Sequence, residues 1–551
     1  MNYRLKNGLL VDPSQGLDHV NKCIFIKDEK IVEKLDSTDK FEDVDCTDMI
    51  VMAGGIDMHT HIGGGKTNLA RMLLPEDHYL NRGSSNSLEI MSSGCCTPGT
   101  LQAGYRYTEM GYTAAFEPAM IFSNARQAHM EMGDTPILDH GAYVMLGNDE
   151  LFLQMLAKKK PHEMIRDYVS WSIDASKSMG VKVVNPGGIS SFKFNQRFLD
   201  VDQNHDHWQI SPRKILKKLA LCLKDIGVPH PLHIHASNLG VPGNIKSTIE
   251  TIDALEGLPG HLTHVQFHTY GKEGPKKFSS AARKLVEKLK TSPNITIDVG
   301  QIIFGQTVTA SGDTMKQHGN SDFANPKKWV LGDIECEAGC GVVPFKYKEE
   351  SFVNALQWVI GLEIFLLMDD PWRVVLTTDH PNGGPFTSYP HLIKLLTNKS
   401  FRDEQLNKLH PDVVEHSDLS EIKRELSLYE IAILTRSAPA KILGLSQRGN
   451  LKNESFADIA VYSKNSDTEE MFRKPKLVFK NGRLVCNDGR IVSVPVGGVH
   501  VVKTSYESNI KKYIAKFYEQ NMASSFSNAE IGKAELQVCS NDGKILTTNA
   551  N

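Results

Sequence analysis

The sequence lacks any long uninterrupted apolar run, and this absence argues against an integral membrane protein. No stretch of about 18 apolar residues is present, which argues against a transmembrane helix. Residues 1–6 lack the apolar region of a signal peptide. The formal net charge is only -3, so no global attraction to nucleic acid or to a membrane is implied. These absences together predict a cytoplasmic protein with neither type of partner.

A disulfide framework is also lacking. The nine cysteines are an odd number and are scattered along the chain. Cys95–Cys96 and the pair Cys336 and Cys340 have spacings that could suit a metal. Free thiols in a reducing compartment are the simpler interpretation of both pairs.

The length of 551 residues predicts one large barrel and a satellite domain. Short strands and turns occupy the first 50 residues, including a hairpin at 24–32, and similar strands return at 457–462 and 477–485. We expect the two ends to pair into one small β-sandwich. The expected parts are residues 1–53 and 441–500 for the sandwich, 54–440 for the barrel, and 501–551 for a C-terminal helix and a weakly specified tail.

Between these ends, short apolar runs alternate with amphipathic segments. Helical patterns cover, for example, 212–225 and 351–368, and seven further strand candidates precede or follow such segments. Repeated βα units of this number and span predict a (β/α)8 barrel, an α/β fold. Active sites of such barrels lie at the C-terminal ends of the strands. The candidate strand ends fall near Glu117, Leu146, Val184, His235, Val265, Val299 and Thr378.

Two histidines, His59 and His61, stand at the end of the apolar run 49–58. Side chains at positions i and i+2 of a strand point to the same face, so both imidazoles could bind one metal ion. Taken alone, a His-x-His pair is a weak signal. Further histidines and an aspartate at later strand ends make it a metal-site prediction.

The later strand ends supply these further candidates. One strand ends with His233 and His235, of which His235 is nearer the end. Another ends near His264, with His261 and His268 on either side. Each histidine alone is more often a hydrogen-bonded core residue than a ligand. Together they are difficult to explain without a metal.

A lysine and an aspartate complete the pattern. Lys182 lies within an apolar run, where a charged amine is costly unless it is paired or modified. Carbamylation would turn it into an anion that bridges two cations; the alternatives are that Lys182 extends to solvent or that Lys193 has this role. Asp379 ends a β-branched strand and is the candidate for a last ligand and a general base, or else a simple turn aspartate.

The order His-x-His, Lys, His, His, Asp suits two divalent ions, with zinc expected, bridged by a carboxylated lysine. Two such ions lower the pKa of a bound water and polarise a carbonyl group. The sequence therefore predicts a metal-dependent hydrolase.

At this point the sequence resembles the amidohydrolase superfamily, which includes hydantoinases and dihydroorotases. Over residues 1 to about 450 it is similar to the A-type subunits of formylmethanofuran dehydrogenases and of bacterial formyltransferase/hydrolase complexes, and residues 70–77 resemble the bacterial branch more. The matching stretches are 54–61, 104–107, 110–113, 134–140, 182–188, 238–244, 263–271, 341–345 and 376–386.

The resemblance implies a set of metal ligands and a reaction. Lys182 falls on the position of the carboxylated lysine, and the other ligand positions fall on His59, His61, His235, His264 and Asp379. The implied reaction is hydrolysis of the N-formyl group of formylmethanofuran or formylmethylofuran to formate and the free furan amine, or its reversal, in one-carbon metabolism. Asp379 would serve as base and then acid.

The resemblance also implies sister subunits, including a formyltransferase, and a furan coenzyme with a glutamate-rich tail. A basic track should receive that tail, with Arg71, Arg82, Arg106 and Lys193 as candidates and Asn238 as a further substrate contact. The long connection 69–100 could be a lid or a subunit contact. Two other functions stay open, namely a cyclic-amide hydrolase of the hydantoinase or dihydroorotase type and a non-catalytic scaffold subunit.

Overall fold

The computed structural model describes residues 1–80, 94–196, 198–310, 334–337 and 340–550. Its largest sheet contains eight parallel strands in chain order, each paired with the next. They are β1 (Gly55–Asp57), β2 (Tyr112–Met120), β3 (Asp139–Met145), β4 (Gly180–Val184), β5 (Leu232–His235), β6 (Gly260–Leu262), β7 (Ile295–Asp298) and β8 (Val374–Val375).

The sheet closes into a barrel just beyond the ends of β1 and β8. Thr60 and His380 form a parallel bridge there, and the His61 N–H donates to the His380 carbonyl at 2.8 Å. The Thr377 hydroxyl also donates to the His59 carbonyl at 2.7 Å. The predicted (β/α)8 fold is confirmed, and the closure brings the first and last strand ends together.

Helices cover the outside of the barrel, so its strands are buried on both faces and consist largely of apolar residues. Helix Gly65–Leu73 overlaps the long connection 69–100 expected as a lid or contact, and helix Pro75–Leu80 lies within it. The α-helices that the structure describes between residues 100 and 443 are Thr100–Glu109, Ala125–Gly133, Glu150–Ala157, His162–Ser176, Gly188–Lys193, Pro212–Ile226, Ile245–Ala254, Ala282–Lys290, Phe352–Leu367, Tyr389–Thr397, Lys399–Leu406, Asp412–Glu415, Leu428–Ala432 and Ala438–Leu443. No helix in the described ranges is both long and apolar enough to cross a bilayer.

The two chain ends build a small β-sandwich, as expected. One sheet contains Lys30–Val32, Ile24–Lys27, Asn2–Lys6 and Phe41–Asp45; the other contains Arg490–Ile491, Arg483–Asn487, Leu477–Lys480, Ile459–Ser463, Met49–Ala53, Leu9–Asp12 and Leu17–Asn21. Their facing apolar side chains form one cluster, in which the rings of Tyr3 and Phe479 are 5.0 Å apart. Met49–Ala53 runs from this sandwich directly into β1, which fixes where His59 and His61 lie.

The C-terminal residues differ from the expected tail. Strands Val499–Lys503 and Ile545–Asn549 pair with each other in parallel, and Val499 pairs with His140 of β3. Helices Asn509–Asn521 and Lys533–Cys539 lie between them. A second difference is an antiparallel sheet of Gly305–Ala310, Ile334–Glu337 and Cys340–Tyr347 after β7, where a simple βα repeat was expected.

Candidate metal centre

The predicted ligands all lie at the C-terminal ends of barrel strands. His59 and His61 follow β1, Lys182 lies in β4, His235 ends β5, His264 follows β6 and Asp379 follows β8. All are buried except His235, which is half-buried. The chain therefore gathers imidazoles, an amine and a carboxylate in one buried volume, although they are separated by up to 320 positions in the sequence.

The first group of donor atoms converges around Asp379. Its Oδ1 lies 3.0 Å from His59 Nε2 and 3.3 Å from His61 Nε2, and Lys182 Nζ lies 3.4 Å from His59 Nε2. Asp379 Oδ1 nevertheless has no hydrogen bond of acceptable geometry to any described residue. The Asp379 oxygen thus lies among these nitrogens without a hydrogen bond to any described residue, an arrangement that suits a metal ion.

A second group of donor atoms contains His235, His264 and His268. The rings of His235 and His264 are 4.5 Å apart, and one donor nitrogen from each of the three residues lies within 4.8 Å of the others. His59 joins the two groups, since its ring is 5.5 Å from that of His264. These residues could hold a second ion beside the first.

The structure separates the alternatives that the sequence left open. Lys193 is exposed on helix Gly188–Lys193, whereas Lys182 is buried beside His59. His233 lies on the other side of His59: its Nε2 is 3.1 Å from His59 Nδ1, and its Nδ1 is 3.0 Å from His230 Nε2. His235 instead faces His264, so the geometry favours Lys182 and His235 as ligands.

Two carboxylates that the sequence argument missed fix the first two histidines. Asp298 Oδ2 is 2.8 Å from His59 Nδ1, and Glu117 Oε1 is 2.8 Å from His61 Nδ1. A carboxylate on one ring nitrogen directs the other nitrogen at a metal. Asp298 Oδ1 also accepts from the His264 backbone N–H at 2.6 Å, so one carboxylate fixes parts of both groups.

The signal for these carboxylates was present in the sequence. Asp298 and Glu117 interrupt apolar strands, and a buried acid must be paired to be tolerated. The same argument singled out Lys182. In the structure the imidazoles of His59 and His261 hold the pKa of Asp298 below its usual range against the effect of burial, and His61 does the same for Glu117.

The electrostatics of Asp379 agree with an ionised ligand. Burial alone would raise its pKa, but the neighbouring His59, His61 and His264 hold that pKa well below the usual range. Burial lowers the pKa of His264 well below its usual value, and the His235 ring adds to this effect. His264 is therefore neutral, the state in which imidazole binds a metal.

Backbone strain marks the same strand ends. Asn185, Asn238, His264 and Asp379 all have positive φ values, of 42°, 65°, 35° and 50°. Residues other than glycine adopt this region at a cost and persist there where the surrounding structure forces them. The four strained residues follow β4, β5, β6 and β8, around the candidate metal centre.

The candidate contacts for the coenzyme are placed less simply. Arg71 donates to the carbonyls of Pro98 and Ile62 and to Asn68 Oδ1, so its guanidinium is bound within the protein. Arg106 has a buried Nε with no partner among the described residues. The Asn238 amide donates to Asp200 and Ser247. Arg82 and residues 338–339, between Cys336 and Cys340, lie outside the described residues.

Asp298→Asn is expected to weaken metal binding by about 10- to 100-fold, because Asn cannot hold His59 Nδ1–H and the His264 N–H with the same charge. Glu363→Gln is the matched control, since Glu363 is a buried acid on the outer helix Phe352–Leu367 that bonds Ser280 and the Asp418 N–H. Chelator competition measures the affinity. Equal metal affinity in both variants would show that Asp298 does not position the ligands.

Comparison with known proteins identifies the family to which this chain belongs. Residues 42–493 match the amidohydrolase family, and the chain belongs to that family. Its fold agrees with that of a dihydropyrimidinase from Brevibacillus agri, with a TM-score of 0.51 and 15% identity over 92% of this chain and all of the other.

Individual relatives are more specific. The chain is 42% identical over 495 residues, 89% of each protein, to the A-type subunit of the formyltransferase/hydrolase complex Fhc of Methylorubrum extorquens. It is 37% identical over 535 residues, 94% of this chain and 93% of the other, to the protein FwdA of Methanocaldococcus jannaschii. The crystal structure of the M. extorquens FhcABCD complex with methylofuran matches with a TM-score of 0.92, 38% identity and full coverage of both chains. The resemblance expected from the sequence is confirmed.

Proposed function

We propose that this protein is a metal-dependent hydrolase that cleaves the N-formyl group of a formylated furan amine, a coenzyme of the methanofuran and methylofuran type. The observation that carries the proposal is the full-length match to a chain of a complex crystallised with methylofuran. The converging donor atoms of this chain support it, because formamide hydrolysis needs an activated water and a polarised carbonyl.

Two divalent ions, with zinc expected, would be held by the six candidate ligands. His59, His61 and Asp379 would bind one ion, His235 and His264 the other, and a carboxylated Lys182 both. When bound, the ions would lower the pKa of water and polarise the formyl oxygen. Lys182 is buried, and its Nζ lies 3.4 Å from His59 Nε2. This supports its modification, because a neutral amine in such a place reacts with carbon dioxide and the product can bind a metal ion.

Residues of the protein would transfer the proton and keep the ligand imidazoles oriented. Asp379 takes a proton from the attacking water and delivers it to the amide nitrogen, so that the new carbon–oxygen bond forms, the carbon–nitrogen bond breaks, and formate and the amine leave. Asp379 suits this role because its Oδ1 is buried, lies among the candidate ligand nitrogens and has no hydrogen bond to any residue in the described ranges. Asp298 and Glu117 keep the two imidazoles aligned while the proton moves.

The relatives also suggest the setting. Because one relative belongs to a formyltransferase/hydrolase complex, we infer that this chain assembles with sister subunits and works on coenzyme that they share. Its place in one-carbon metabolism, with formate as product in the bacterial direction, and its cytoplasmic location remain parts of the proposal. The similarity to dihydropyrimidinase is at 15% identity and shows the fold alone.

A comparison of substrates tests the proposal. The protein, purified with the partner chains that it retains, is incubated separately with formylated furan amine, hydantoin and dihydroorotate. We expect formate and free amine in equal amounts from the first substrate and no ring opening of the others. Ring opening without formate release would favour a cyclic-amide hydrolase, and no turnover with less than one metal per chain would favour a scaffold.

A further inference from the structure

His268 belongs to the second group of donor atoms at the candidate metal centre but is not one of the six candidate ligands named in the proposed function. It ends the short 3-10 turn Val265–His268 after β6 and is fully buried. Its ring lies 5.3 Å from that of His235 and 5.4 Å from that of His264. One of its nitrogens is within 4.8 Å of donor nitrogens of both. The ring therefore faces the volume in which the reaction would take place.

The polar atoms of His268 are unsatisfied. Neither ring nitrogen has a hydrogen bond of acceptable geometry to any residue that the structure describes. A neutral imidazole has one N–H donor and one bare acceptor nitrogen. Since no described residue pairs with either ring nitrogen, the acceptor nitrogen can bond a ligand in this volume.

A comparison with His129 shows why the location matters. His129 is also buried and donates through Nε2 to the Ser176 carbonyl at 2.9 Å, while its Nδ1 has no partner in the part of the chain that the structure describes. It lies on helix Ala125–Gly133 outside the barrel. An unpaired nitrogen alone is thus no evidence for a binding site. His268 differs because its ring stands against two candidate metal ligands at the barrel mouth.

We propose that His268 binds the substrate, and that its bare nitrogen accepts the N–H of the secondary formamide. This inference rests on the proposed function. A formyl carbon held beside the metal ligands places its amide nitrogen about 1.3 Å away, so the N–H must also enter this buried volume. There it loses its hydrogen bonds to water and needs an acceptor. The contact would orient the carbon–nitrogen bond and select secondary over tertiary formamides.

The test compares two substrates in three variants. N-formylfurfurylamine carries the N–H, and N-formyl-N-methylfurfurylamine lacks it. We expect the wild-type protein to prefer the first by about 10- to 100-fold in kcat/KM. His268→Leu should reduce this preference to a few-fold, and His268→Gln, whose amide oxygen is an acceptor, should retain part of it. His129→Gln is the control for replacing a buried histidine and should keep the wild-type preference.

Metal content and thermal melting accompany the kinetics. His268→Leu should keep the metal content of the wild type, with the loss confined to the substrate that has an N–H. The ratio of kcat/KM for the two substrates is compared between proteins, so the difference in shape between the substrates cancels. An unchanged preference in both His268 variants would overturn the inference, and loss of an ion from both would make His268 a metal ligand instead. Failure of the wild type to release formate from either substrate would contradict the proposed function itself.

Discussion

Asp379→Asn is expected to abolish formate release, with a kcat that is lower by about 10²- to 10⁴-fold or more. The protein should stay folded and keep much of its metal. The amide oxygen of Asn can still contact an ion, but Asn cannot accept the proton of the attacking water. In the structure Asp379 Oδ1 lies 3.0 Å from His59 Nε2 and is ionised, so this proton acceptor is present before the substrate binds. Formate release measures the loss of turnover, metal content measures the retained ions, and thermal melting shows whether the protein stays folded.

The control for this variant is Glu363→Gln, which replaces a buried acid that bonds Ser280 and the Asp418 N–H instead of the candidate ligands. It should leave formate release and metal content unchanged. Near-normal turnover in Asp379→Asn would show that the proton acceptor is a different group. Loss of both metals without loss of fold would make Asp379 mainly a ligand.

Lys182→Ala is expected to remove both metal ions and to lower activity by about 10³-fold or more, since metal polarisation is worth several kcal/mol. Without an anion between them, two neighbouring divalent ions would repel each other strongly. Lys182 is 2% exposed, so its removal leaves a cavity that a small carboxylate can enter. Added acetate or propionate should therefore restore part of the metal content and of the activity.

Lys193→Ala is the matched control, because the sequence offered Lys193 for the same role and the structure places it on the surface. It should keep the metal content of the wild type. Full metal content in Lys182→Ala, with no effect of added carboxylate, would exclude a bridging role for Lys182.

The barrel could be predicted because its strands are short apolar runs separated by amphipathic segments, a pattern that local sequence carries. The same pattern placed His59, Lys182 and Asp379 at strand ends, and strand ends of a barrel meet in space. The sandwich could be predicted because its hairpins carry their own turn residues. Metal ligation by the six residues remains a prediction that the structure supports through their proximity.

Other features depend on contacts between distant residues and carry little local signal. The C-terminal composition, rich in Ser, Asn and Lys, indicated a tail, yet Val499 extends the barrel sheet by pairing with His140. Asp298 stands out in an apolar strand, but the sequence does not show its partners His59, His261 and His264, which are 239, 37 and 34 positions away. Which of His233 and His235 faces the site depends on barrel geometry that the alternation within one strand does not contain.

The most direct test of the central claim follows formate release while metal is returned to the protein. Metal-depleted protein, purified with its partner chains and supplied with bicarbonate, is titrated with Zn²⁺ in the presence of formylated furan amine. We predict that formate release is absent without metal, rises with added ion, and reaches its maximum near two ions per chain. Formate release by the metal-free protein, or none after two ions have bound, would contradict the claim that this chain is a binuclear formamide hydrolase.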